Sequence, residues 1–242
     1  MAVTAAGNDK NDFTNTVIGP YLNDKSGFNL LRGMQNAKNF LTVGAVNQVT
    51  NYISPQSVVM SDFSSWGPTD DGRIKPESVT KGVAVMSTDS SGNSDYSSSQ
   101  GTSMASPAIA GNALLLQQYY NSLNTSYMRA ATLKGLILHT ALEAGDDPGP
   151  DYMFGFGLIN TEAAANLITA IANQSAVIEE VNLNNNATYT KTIYVTAGKP
   201  LVVSISWTDP AYVSSNSGTI DPTTKYLVND LDVRVTRNGV TY

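Results

Sequence analysis

The chain gathers its apolar residues into short blocks separated by polar, turn-rich stretches, and the spacing within each block differs along the sequence. Phe40–Val46 (Phe-Leu-Thr-Val-Gly-Ala-Val) is a nearly continuous apolar run, the pattern of a strand buried on both faces of a parallel sheet. Residues 2–6 have the same character and close in Gly7-Asn8-Asp9, which predicts a strand running into a loop. A polar loop rich in Asn and Asp follows to about Arg32, and residues 58–63 form a second, shorter candidate strand. Residues 64–100 carry many turn formers, including Gly67-Pro68 and Asp71-Gly72, around a short apolar block at 83–86, so loop and short strand are expected there rather than helix.

From Thr102 to about Tyr120 the period changes. Ala105, Ala108, Ile109, Ala110, Ala113, Leu114, Leu115 and Leu116 make an almost wholly apolar helix, which is expected to be buried. Residues 127–141 and Thr161–Ala172 read as further helices, the second opened by Thr161 as N-cap. After Ile178 the period drops to two, at Tyr189, Ile193 and Val195, then across 201–207, then at Leu231, Val233 and Val235. The reading is therefore an α/β unit over residues 1–175, with a partial parallel-sheet core and flanking helices, followed by a truncated all-β unit over 176–242. Asn238-Gly239 is a hairpin-turn signal near the end of the chain.

Composition narrows the function classes. The 242 residues hold 14 Lys and Arg against 20 Asp and Glu, a net charge of -6 with no basic cluster, which argues against nucleic acid as a partner. With no cysteine there is no disulfide, thiolate metal site or cysteine nucleophile. No apolar run reaches the roughly 20 residues that span a bilayer, and residues 1–8 lack the pattern of a signal peptide. Low charge with abundant Ser, Thr, Asn and Gly suits a secreted enzyme. The opening strand reads as cut at its beginning and the final hairpin as barely started, so a fragment is expected.

The sharpest chemical signal is residues 101–107, Gly-Thr-Ser-Met-Ala-Ser-Pro, at the start of the apolar helix. A serine in the first turn sits among unpaired backbone N–H groups at the positive end of the helix dipole, a setting that favours an oxyanion. Gly101 permits close backbone approach, and Pro107 lacks the N–H that would bond the Ser103 carbonyl four residues earlier. On these residues alone two readings stay open: a nucleophile, or a Ser/Thr cap on a core helix.

Residues 101–107 resemble the Gly-Thr-Ser-Met-Ala-Thr/Ser-Pro signature of the subtilisin-like serine peptidases, the subtilases. Two earlier segments agree in order: residues 4–8 (Thr-Ala-Ala-Gly-Asn) resemble the family's Ala-Ala-Gly-Asn, and residues 63–68 with 72–76 resemble its Phe-Ser-Ser-x-Gly-Pro … Lys-Pro-Asp segment. The resemblance implies that Ser103 is the nucleophile, that the Asn8 side chain and the Ser103 amide form the oxyanion hole, and that Ala5, Ala6, Gly7, Gly101 and Thr102 line the substrate site. In the family the acid and base precede the oxyanion asparagine, so the N-terminal half of the catalytic domain is expected to be missing. The single histidine, His139, lies after Ser103 and reads as a structural residue. Without an imidazole base the chain alone is expected to be inactive. Where the family continues Lys-Pro-Asp-Ile/Val-x-Ala-Pro-Gly, residues 75–82 read Lys-Pro-Glu-Ser-Val-Thr-Lys-Gly, which predicts a looser loop at Thr80-Lys81.

Residues 152–160 resemble the segment that closes the family's catalytic domain, and residues 203–209 and 227–232 are similar to the C-terminal jelly-roll of some alkaline bacterial subtilases. Calcium is implied by that resemblance, with Asp209, Asp230 and Asp232 as weak candidate ligands; the competing expectation is that all three are solvated acids at strand ends. Function is thus read as serine endopeptidase acting on protein or peptide substrates. The alternative is a non-catalytic binding or adhesion module on the same scaffold. A hydrolase of the Gly-x-Ser-x-Gly type is excluded, because Ala105 stands where the last glycine would be. Unpaired sheet edges predict low solubility or self-association.

Overall fold

A computed structural model of the chain describes residues 1–12, 28–213 and 222–242, so much of the polar loop expected up to about Arg32 lies outside the described residues. Three parallel strands form the central sheet: β1 (Ala2–Ala5), β2 (Phe40–Val46) and β3 (Ser78–Lys81), with β2 in the middle. Ala2 stands beside Phe40 and Ala5 beside Val43, while Val43 stands beside Ser78 and Val46 beside Lys81. Six of the seven β2 residues are buried, as its uninterrupted apolar run predicts. Residues 58–63 do not continue the sheet as a strand. They meet it through one antiparallel bridge, Met60 to Val46.

The thirteen buried apolar residues of the larger core lie on one side of β2. Leu41, Val43 and Ala45 pack there against Ala105, Ile109, Ala113 and Leu116 of helix α1 (Thr102–Asn124), and against α2 (Ala130–His139) and α3 (Thr161–Ala172). On the other side Val46 and Val79 join Val58, Ala144 and Phe154 in a smaller cluster. The α1 helix is not buried all round. Leu114 and Leu115 are 73% and 60% exposed, because a helix lying on a sheet buries one stripe whatever the rest of its sequence contains. The cap of α3 is Asn160, whose side chain accepts from the Ala163 amide, and not Thr161.

The segment expected to be loose is the third strand. Thr80 and Lys81 pair in register with Ala45 and Val46, and Glu77 reaches back across the strand to accept the Thr42 amide at 2.7 Å. The same carboxylate receives two ammonium groups on Oε1, Lys75 and Lys134, each at 2.6 Å. Lys75, 1% exposed, also donates to the carbonyls of Ala37 and Phe40 and to the Thr42 hydroxyl. A charge this deep survives only with partners on every proton. Burial pushes the Lys75 ammonium down to about 8; Glu77 opposes that fall and Lys134 adds to it.

Before the α1 helix the chain makes an exposed antiparallel hairpin, β4 (Val85–Thr88) with β5 (Tyr96–Ser99); the sequence signalled only the first arm. Past α3 the expected strands at 189–195, 201–207 and 231–235 are not paired as a sheet. Among the described residues only β6 (Thr236–Arg237) and β7 (Val240–Thr241) pair, around Asn238 and Gly239, both at positive φ as a tight hairpin turn requires. A strand is held by its neighbours' backbone groups, so alternating apolar residues without a paired strand beside them are left exposed. Val202, Ile205 and Tyr194 are examples.

Burial predicts very different costs along one helix. Ile109→Ala should lower the unfolding free energy by about 2–5 kcal/mol, and Leu114→Ala by less than about 0.5 kcal/mol, in urea titrations. Equal losses at the two positions would contradict the described packing. The second expectation concerns Lys75. Between pH 8 and 10.5 the unfolded chain holds the Lys75 proton more often than the folded one, so this group's contribution makes stability rise with pH across that window. Urea titrations at pH 8 and pH 10 should show the rise in the wild type and a smaller one in Lys75→Met; identical slopes would refute it.

Candidate active site

The loop leaving β1 and the N-terminus of α1 meet at the ends of the parallel strands. Gly101, at φ +147°, donates to the Gly82 carbonyl just past β3, and its own carbonyl accepts the Met104 amide at 3.0 Å. A side chain at Gly101 would lie 3.1 Å from Asn8 Nδ2, so the glycine leaves room for that amide. The α1 helix has no cap from its own preceding residue. Asn8 supplies one from 94 residues away: its Oδ1 accepts both the Thr102 amide and the Thr102 hydroxyl, each at 2.9 Å.

The Thr102 hydroxyl closes the junction. It accepts the Gly7 amide at 3.0 Å while donating to Asn8, and the residue is fully buried. Because a backbone N–H can only donate, the Asn8 atom facing Thr102 must be the oxygen. The donor end, Nδ2, is thereby turned toward Gly101, two residues before Ser103. Ser103 is exposed, and neither its hydroxyl nor its amide has a hydrogen-bond partner among the described residues.

Ser65, unassigned by the sequence reading, holds the loop from below. Its hydroxyl accepts the Asp9 amide at 3.1 Å and its own amide donates to the Gly7 carbonyl at 2.9 Å. Gly7 sits at φ +100°, a conformation a side chain would strain, with Gln35 and Ser65 3.2 Å from where a Cβ would be. The motif at residues 63–68 was visible in the sequence, but its contact with residues 7–9 was not. Of the other named site residues, Ala6 is fully buried and bonds Val43 through its amide, and Ala5 ends β1.

His139 lies at the end of α2, where Nδ1 is 2.8 Å from the Ser204 hydroxyl, consistent with a structural histidine. The three candidate calcium ligands are not gathered in one cluster among the described residues. Asp209 is 3% exposed rather than solvated, and its carboxylate is already occupied by Lys38 Nζ, the amides of Val228 and Asn229, and the Asn229 side chain. Burial pushes this carboxyl up, but those donors outweigh it and hold it at about 2. Asp230 is exposed, and Asp232 faces Arg234 at 3.8 Å. Among the described residues no three His, Cys, Asp or Glu gather as metal ligands, and no helix is long and apolar enough to cross a membrane.

A model of the subtilase family matches residues 1–157. The C5a peptidase of Streptococcus pyogenes serotype M3 (strain ATCC BAA-595 / MGAS315) is 30% identical over 157 residues, 62% of this chain and 13% of that protein. The PII-type proteinase of Lactococcus lactis subsp. cremoris is 34% identical over 136 residues, 50% of this chain and 7% of that protein. The chain therefore spans only a small part of the length of these relatives. Among solved structures, that of a lanthipeptide protease superposes with a TM-score of 0.51 at 20% identity, covering 69% of this chain and 50% of that one, a likeness of fold.

If the Thr102 hydroxyl links the two segments, Thr102→Val, which keeps the shape, should cost about 1–3 kcal/mol, the range for leaving a buried donor unpaired. Thr102→Ser should retain most of the stability. Urea titration of the three proteins checks this, and a valine variant as stable as wild type would count against the link.

Proposed function

Since the chain belongs to the subtilase family, we propose that it is the nucleophile-bearing part of a serine endopeptidase acting on protein or peptide substrates. The observation that carries the reading is the Asn8 amide, whose oxygen is committed to Thr102 and whose NH2 is thereby turned toward the start of the helix bearing Ser103. In this reading Ser103 Oγ attacks the carbonyl carbon of the scissile peptide bond. The Asn8 Nδ2 and the Ser103 amide then donate to the oxygen as it gains charge, from positions fixed before the reaction begins. Ala5, Ala6, Gly7 and Gly101 border the substrate, and Thr102 acts through Asn8.

A general base must take the Ser103 proton, and an acid must orient that base. His139 is committed to Ser204 on α2, and no other histidine exists in the 242 residues. The base and its partner are therefore assigned to residues outside this sequence, and the 242 residues alone are read as inactive. Residues 176–242 are read as strands of a β-sandwich that needs further strands to pair. The low charge and the Ser, Thr, Asn and Gly content support secretion.

The test sets the full gene product beside this chain, using a fluorescent serine-directed phosphonate and casein. The full protein should label at Ser103 and cleave casein, Ser103→Ala should do neither, and this chain alone should do neither. Asn8→Ala in the full protein should lower kcat by about 10²–10³-fold with KM little changed, the range known for losing one such donor in subtilisin, a member of the same family. A folded full protein that neither labels nor cleaves would overturn the protease reading in favour of the binding module.

A further inference from the structure

Lys38 and Asn39 lie in the turn leading into β2, and among the described residues all five of their side-chain hydrogen bonds go to residues after 208. Lys38 Nζ donates to Asp209 Oδ2, to the Pro210 carbonyl at 2.6 Å and to the Tyr226 carbonyl at 2.8 Å, which uses its three protons. Asn39 pairs with the backbone of Asp209 as a neighbouring strand would: Nδ2 donates to the Asp209 carbonyl at 2.8 Å, and Oδ1 accepts the Asp209 amide at 3.0 Å.

Asp209 in turn ties two distant pieces of the C-terminal segment to each other. Its carboxylate accepts the amides of Val228 and Asn229 at 2.9 and 2.8 Å and the Asn229 side chain at 3.0 Å, in addition to Lys38. The two pieces also touch through Tyr212 and Tyr226, ring to ring at 5.3 Å. A second tether runs from the Tyr226 amide to Asp71, a carboxylate itself paired with Arg73. On the approach to this seat, Ser204 meets His139 and Ser206 lies against Gly135, where an added Cβ would come within 2.9 Å of the Ser206 Cβ. From beneath, Lys134 donates to the carbonyls of Lys38 and Phe40 and pairs with Glu77, which fixes the turn carrying the seat.

We infer that residues 204–210 and 226–229 form an intramolecular strap, seated on the peptidase unit at Lys38 and Asn39 through the single buried carboxylate of Asp209. Each donor and acceptor of the seat is matched by one on the strap, so the seat is built for this segment of the chain and leaves no coordination position for a cation. The strap lies across α2 and the turn before β2, and it adds a polar attachment to those that Ile178 makes with the larger core and Glu180 makes with Arg129 and Thr132. This inference does not depend on the proteolytic reading.

Hydrogen exchange read by mass spectrometry on the whole 242-residue chain tests it. In Asp209→Ala, residues 226–229 should lose protection by about tenfold or more while β2 and α1 keep theirs, because the released segment opens locally. Asn39→Ala keeps the charge pair and should give a smaller loss at residues 226–229. It also carries the test alone if Asp209→Ala does not fold. Unchanged exchange at 226–229 in the variants, or wild-type exchange there as fast as in an unstructured chain, would overturn the strap.

Discussion

The hydroxyl of Thr102 is the atom on which the proposed site depends. A parallel strand ends in orphan backbone groups and so does the first turn of a helix. Here one buried side chain serves both, accepting from Gly7 past the end of β1 and donating to Asn8, which in return caps α1. The consequence is directional. An asparagine left to water would rotate freely, whereas one whose oxygen is bound on one side presents its NH2 on the other. Ser65 and the positive φ of Gly7 complete the constraint, since the loop can neither sink nor swing without breaking bonds to both.

Beneath the junction the sheet is held by charge as well as by apolar packing. Glu77 bonds β2 through the Thr42 amide and gathers Lys75 and Lys134, so that the approach to β3, the turn before β2 and helix α2 share one carboxylate. Such a cluster is costly to desolvate and adds little net stability compared with apolar residues of the same volume. Its value lies in specificity, because each ammonium also fills several carbonyls of the turn at residues 37–40 and so fixes the turn's path. That turn carries Lys38 and Asn39, and the strap of the C-terminal segment rests on a surface made rigid from inside.

The two halves of the chain differ in how they satisfy their backbones. The N-terminal α/β part has a central strand covered on both faces, with helices over its larger core. In residues 176–242 the period-two pattern is present, yet paired strands are confined to one short hairpin among the described residues. Alternation selects which side chains would share a face, but a sheet exists only where two backbones meet in register. Its attachments are Ile178 against the larger core, Glu180 on Arg129 and Thr132, and the polar seat centred on Asp209.

How much of this was legible in the sequence follows from the range of each interaction. The apolar run of β2 and the α3 span depend on neighbours within a few residues, and the sequence alone determined them, as did the family motif around Ser103 and the hairpin turn at Asn238-Gly239. Residues 78–81 were misread because their strand character comes from lying beside β2 and from the reach of Glu77. The exposure of Leu114 and Leu115 was hidden because composition does not say which stripe of a helix a sheet will cover. The orientation of Asn8 and the burial of Asp209 were decided by tertiary structure alone. The first is set by a threonine 94 positions away and the second by a lysine 171 positions away. Spacing in a sequence encodes the faces of helices and strands, but a hydrogen bond between distant residues is formed only after the chain has packed.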